Sequence, residues 1–140
     1  MDFVGLHSDG TGQVLYLIEV TDYSENPSGL KKAIIQGDLA AEFAHKVQST
    51  MCGLVVIPRL DAGDRGQWIP FLKHVADHKT EIKVVLCLGG GRGSLERIKQ
   101  RNDAIKKQLK QLIRFVGSGI SVVTHLRTAQ LDAVGPIQPT

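Results

Sequence analysis

The stretch that most constrains this chain runs from Val14 to Tyr23, Val-Leu-Tyr-Leu-Ile-Glu-Val-Thr-Asp-Tyr. Val14, Leu15, Tyr16, Leu17, Ile18 and Val20 are the β-branched, aromatic and aliphatic residues that fill a buried strand, and Glu19 interrupts them. Burying an ionised carboxylate without a partner is strongly unfavourable. A core strand therefore carries one only where it meets a cation, a dense set of donors, or water at the strand end.

A second apolar segment, Phe3 to Leu6, lies just upstream, preceded by Asp2 and followed by Ser8-Asp9-Gly10-Thr11-Gly12. That turn predicts a hairpin in which Gly10 and Gly12 supply positive φ, so that the strands pair antiparallel and Asp2 approaches the Glu19 end of its neighbour. Two carboxylates at one sheet edge are hard oxygen ligands suited to Mg²⁺ or Mn²⁺, and the peptide carbonyl of Val20 can add a third.

Asp2, sixteen intervening residues and then Glu19-Val20-Thr21, set in Asp2-Phe3-Val4 and Leu15 to Tyr23, resemble the PD-(D/E)xK, or restriction-endonuclease-like, nuclease superfamily, and small bacterial proteins of that type in particular. The resemblance implies that Asp2 and Glu19 are metal ligands for phosphodiester hydrolysis, with the Val20 carbonyl assisting. It also marks two departures. Thr21 stands where the family pattern has a lysine that orients or activates the attacking water, and the helix and strand that open the family core ahead of the Asp are absent from this sequence. Some family members draw a catalytic residue from the first helix after the core strand. Lys46 is the candidate replacement there, with Glu42 one turn earlier.

At 140 residues and 42% apolar content, the chain is long enough for one domain with its own core, expected over 1–127, with 128–140 as a mobile tail. No apolar run approaches the length of a membrane span and no signal-peptide layout opens the sequence, so a cytoplasmic location is expected. Cys52 and Cys87 lack a Cys-x-x-Cys spacing and read as reduced thiols. Charge is uneven. Residues 92 to 114 carry eight Lys or Arg against Glu96 and Asp103, a net of +6 in a chain whose total is +3.

Ser24 to Gly37, with Pro27, Ser28 and Gly29, reads as a long loop whose Lys31 and Lys32 could touch a phosphate backbone. Asp38 suits a helix start, and Leu39, Phe43, Val47 and Leu54 form a helical stripe. Leu54 to Ile57 fits either a strand or the end of that helix, and the resemblance favours a helix ending before Pro58. Trp68, Phe71, Leu72 and Val75 mark a second helix carrying His74 and His78 one turn apart, two ordinary polar histidines without a third zinc ligand. Ile82 to Leu88 is a parallel-type strand ending in Gly89-Gly90-Gly91-Arg92-Gly93-Ser94, a turn with the features of an anion nest but no P-loop ending.

A long helix follows from Leu95 to Phe115, with Ile98, Ile105, Leu109, Leu112 and Ile113 on its apolar face. Lys99, Lys106, Lys107, Lys110 and Arg114 lie on an adjoining face that is either solvated or follows a nucleic-acid backbone. Ile120 to Leu126 is the last strand. The fold expected is α/β: a mixed sheet that begins with an antiparallel hairpin and continues in helix-linked parallel strands, a restriction-endonuclease-like core with helices on both sheet faces. Two functions follow. One is a metal-dependent nuclease acting on DNA or RNA; the other is an inactive module of that fold, binding nucleic acid through the basic helix or a protein, or a further copy, through an open sheet edge.

Overall fold

The computed structural model describes residues 1–9, 12–56, 66, 68–90, 93–116 and 119–124. Its elements are β1 (Phe3–Asp9), β2 (Gly12–Asp22), α1 (Pro27–Gln36), α2 (Asp38–Val56), α3 (Ile69–Ala76), β3 (Glu81–Gly89), α4 (Leu95–Leu112), a 3-10 turn (Arg114–Val116) and β4 (Ile120–Thr124). They build one mixed sheet of order β1-β2-β3-β4, with β1 antiparallel to β2 and the other pairs parallel. This is the expected α/β arrangement of a hairpin followed by helix-linked parallel strands.

The helices form a single layer, where both faces were expected to be covered. Leu15 and Leu17 of β2, Val84, Leu86 and Leu88 of β3 and Ile120 of β4 share one buried cluster with Leu30 of α1, Phe43 and Val47 of α2, and Ile105 and Leu109 of α4. Trp68, Phe71 and Val75 pack on the same cluster. The reason is topological. The chain steps from β2 to β3 to β4 in one direction, so two right-handed crossovers land on the same side of the sheet. The alternate residues Phe3, Tyr16, Ile18, Val20, Val85, Cys87 and Val123 face the other way and stay outside the cluster; Val20 and Val123 are 52% and 51% exposed.

Three local expectations change. Ser24 to Gly37 is mostly helix: Asn26 Oδ1 accepts the Gly29 N–H at 2.9 Å, Pro27 occupies the first turn, and Gly37 ends α1 at φ 81°, ψ 1°. These are ordinary helix start and stop signals, and the early proline hides them because it also suits a loop. β1 is longer than Phe3 to Leu6, since Asp9 pairs with Gly12; Gly12 sits in β2 without positive φ, and Gly10 lies outside the described residues. α4 ends at Leu112, which is exposed, because the chain turns at Ile113 (φ −122°, ψ 55°) and Ile113 takes the core position instead. β4 is described to Thr124, and the tail 128–140 lies outside the described residues.

The second helix, α3, forms where expected but ends at Ala76, so His74 lies on it and His78 lies in the turn beyond it. α2 runs through Val56, so Leu54 to Val56 is helix. Full burial of a Phe, Leu or Val contributes about 1.5–3 kcal/mol, whereas a surface Glu-Lys pair one turn apart contributes about 0.3–0.5 kcal/mol. Leu39, Phe43 and Val47 therefore set how α2 lies on the sheet, and Glu42 and Lys46 go where that packing carries them.

Candidate functional site

Glu19 shares the parity of Leu15 and Leu17, so its side chain enters the layer between sheet and helices, where it is 3% exposed. Lys46, next to the packed Val47, reaches across from α2 and donates to Glu19 Oε1. Glu42 Oε1 stands 3.4 Å from the same ammonium. The crevice around them is also lined by Thr21, Leu39, Phe43 and Leu86 and has room for about one water, ≈ 10 Å³. The hydrogen bond to Glu19 holds the Lys46 pKa above its ordinary 10.5, with burial opposing and the charges of Glu19 and Glu42 adding to the rise. Lys46 is thus held as a cation here, and the arrangement offers a fixed positive charge rather than a base.

Asp2 stands abreast of Glu19. The register Phe3↔Ile18 carries on through Asp2 N–H, which donates to the Ile18 carbonyl at 3.1 Å. Asp2 Oδ2 in turn accepts the Val20 N–H at 2.8 Å, which ties the start of the chain to the strand end. Glu19 Oε2 lies 3.7 Å from the Met1 amino nitrogen and is buried without a hydrogen-bond partner.

The donors suit a hard divalent cation. The carboxylates of Asp2 and Glu19, the latter with its Oε2 buried and unbonded, and the Val20 carbonyl are oxygen ligands, and Mg²⁺ is commonly held by one or two carboxylates together with water and substrate phosphate. Among the described residues no group of three or more His, Cys, Asp or Glu side chains is arranged to hold a metal ion. His74 and His78 have separate neighbours: His74 Nδ1 lies 3.3 Å from Thr80 Oγ1, and His78 stands exposed 3.9 Å from Asp77.

The cationic residues divide among separate surfaces. Lys31 and Lys32 are exposed on α1, and neither lines the Glu19 crevice; Lys31 borders a different cavity, with Gly90 and Arg101. Lys99, Lys107 and Lys110 are exposed on α4, Lys106 is half-buried, and none pairs with a described carboxylate. Two features escape sequence reasoning. Asp22 and Ser24, together with Val20, Cys87, Gly89 and Val123, line a trough of about 540 Å³ at the carboxyl ends of the parallel strands. Arg101 is half-buried between α4 and β4. Position at strand ends hints at the trough. Nothing sets Arg101 apart from the other charges of a basic helix until β4 is placed beside it.

Gly89 and Gly90 are required by close packing. A Cβ at Gly89 would overlap the Asp22 carboxylate, and Gly90 (φ 78°) lies against the Tyr23–Ser24 backbone. Asp22 Oδ1 accepts both the N–H and the hydroxyl of Ser24. The expected anion nest is described only in part: Gly93 has φ 116° and Ser94 Oγ caps Arg97 N–H at 3.4 Å, while Gly91 and Arg92 lie outside the described residues.

Comparison with protein families, with curated proteins and with solved structures returns no match for this chain. Among the described residues, no helix is long and apolar enough to cross a membrane.

Proposed function

We propose that this chain is a metal-dependent nuclease of the PD-(D/E)xK type, or a domain derived from one, acting on DNA or RNA phosphodiesters in the cytoplasm. Support comes chiefly from Lys46. The motif lysine is replaced by Thr21, and a cation from the next element but one in the chain meets the motif glutamate in the same crevice that Thr21 lines. Asp2, Glu19 and the Val20 carbonyl would hold Mg²⁺ or Mn²⁺. A bound cation of this kind supplies Lewis acidity toward a phosphate oxygen and a more acidic water. Lys46, kept protonated by Glu19, places positive charge beside the reacting group, and Glu42 steadies it from the solvent side.

A second reading, an inactive module of the same ancestry, has its own support. The Glu19 crevice has room for about one water, and the exposed lysines of α4 are available to nucleic-acid phosphates. The outer edge of β1 is likewise open to a protein partner or a further copy. The deciding experiment is cleavage of single- and double-stranded DNA and RNA with Mg²⁺ or Mn²⁺, comparing the chain with its Glu19→Gln and Lys46→Met variants. Activity that vanishes in both variants while they remain folded supports the first reading. Activity retained by Glu19→Gln removes Glu19 from the site. Should the unaltered chain cleave nothing, salt-dependent binding lost on Lys106, Lys107 and Lys110→Glu would carry the second reading.

A further inference from the structure

A cavity of about 300 Å³ opens between α1, the turn after β3 and α4. Its walls are Pro27, Ile34 and Ile35, its cations are Lys31 and Arg101, and Gly90 sits at its rim. No carboxylate among the described residues lines it. Asp22, which lies against Gly89, is engaged by Ser24.

Arg101 is the unusual member. One nitrogen, Nη2, donates to Thr124 Oγ1 at 2.7 Å, and that hydroxyl donates to Asn102 Oδ1 at 2.9 Å, so the guanidinium is held against β4. Asn102 is itself anchored by donating to the Val122 carbonyl at 3.3 Å. Yet Arg101 Nε is buried with no acceptor, and the residue makes no ion pair among the described residues. Burial pushes its pKa below the ordinary arginine value, but a guanidinium keeps its charge at any physiological pH. A fixed, half-buried cation without a counter-charge is costly in a fold that could have placed a neutral residue there. An anion resolves that cost.

We propose that this cavity binds a nucleoside monophosphate group, with the phosphate on Arg101 and Lys31 and the base and sugar against Pro27, Ile34 and Ile35. Nη1, the guanidinium nitrogen neither bonded to β4 nor buried, suits a phosphate oxygen, a lysine adds a mobile point charge, and an apolar wall beside them favours a ligand that is more than inorganic phosphate. The group has two sources, a free nucleotide or the phosphorylated end of a nucleic-acid strand. The site does not depend on the Glu19 crevice and holds under either reading of function.

The test uses the full chain, with thermal shift and calorimetric titration against AMP, UMP, dTMP, the matching unphosphorylated nucleosides, inorganic phosphate, and a short oligonucleotide with and without a 5′-phosphate. Saturable stabilisation by at least one phosphorylated probe, absent with its unphosphorylated counterpart, is expected. Affinity should fall about tenfold or more in Arg101→Met and in Lys31→Met, and stay unchanged in Lys73→Met on α3. The mononucleotide and oligonucleotide arms separate the two sources. Lys31 is exposed on α1, so its variant remains informative should Arg101→Met fail to fold. The proposal is overturned by no saturable response up to about 10 mM of any nucleotide or to the phosphorylated oligonucleotide. Nucleosides binding as tightly as their phosphates, inorganic phosphate binding as tightly as any nucleotide, or undiminished affinity in Lys31→Met would overturn it equally.

Discussion

Removing the Lys46 cation tests the Glu19 contact most directly. In Lys46→Met the replacement keeps an apolar stem in the crevice lined by Leu39, Phe43 and Leu86 while removing the charge. Exposed ion pairs contribute about 0.2–1 kcal/mol, and breaking a fully buried pair costs about 3–5 kcal/mol. This pair lies between those limits, with Glu19 buried and Lys46 38% exposed at its side chain, so a loss of about 1–3 kcal/mol is expected. For a domain of this size that is roughly 3–5 °C in Tm per kcal/mol. The partners should respond unequally. In Glu19→Gln the lysine can turn to solvent, whereas in Lys46→Met the carboxylate has no such escape, so Glu19→Gln should cost less. The double variant should recover stability over Lys46→Met, with a coupling of at least ~1 kcal/mol by chemical denaturation. Effects that add to within ~0.5 kcal/mol would refute the assigned contact.

Three further outcomes follow from single features. Because the Lys46 pKa is raised, its contribution to stability is complete below the unfolded value of 10.5 and is lost as pH rises through the higher folded value; melts above pH 10.5 should therefore destabilise the unaltered chain relative to Lys46→Arg, which stays charged. A Cβ at Gly119 would overlap the Ile82 carbonyl oxygen and push against the 2.6 Å bond from Val84 N–H to the Gly119 carbonyl, so Gly119→Ala should cost more than about 2 kcal/mol, read as a lowered denaturation midpoint. Cys52 is exposed, while burial raises the Cys87 thiol pKa, so a thiol reagent at neutral pH should modify Cys52 first, and Cys52→Ala should leave only a slow phase; two fast thiols would contradict the placement of Cys87.

Much of the fold was legible because local rules agreed with the final packing. The stripes Leu39-Phe43-Val47 and Ile98-Ile105-Leu109 each carry one period and each proved to be the buried side of its helix, while the run Val14 to Val20 proved to be a strand that sends Leu15, Leu17 and Glu19 into the core and leaves Val20 exposed. Glu19 could be singled out because it breaks such a run. The one-layer arrangement could not be read off, since it depends on strand order, and no residue pattern distinguishes β3 added on one side of β2 from β3 added on the other. The half-exposed row Val20, Cys87 and Val123 resembled part of a fully buried sheet for the same reason. Arg101 was hidden among seven other basic residues in 92 to 114, because its distinction is a long-range contact with Thr124.

The Glu19–Lys46 pair can be asked whether it belongs to the fold or to chemistry. A buried ion pair is weak evidence for stability, because apolar residues of similar volume are often as stable or more so. If the pair only holds α2 to β2, each partner should be replaceable by an apolar residue without other consequence, since Leu39, Phe43 and Val47 already bury that helix face. Glu19→Leu combined with Lys46→Met is therefore expected to be at least as stable as the unaltered chain. Where the unaltered chain cleaves with metal, such a protein, folded and stable yet without that cleavage, would show that the pair is kept at the expense of stability for a reaction. If the double variant unfolds instead, the pair is needed by the fold itself, and the case for catalysis would rest on the cleavage measured with Glu19→Gln alone.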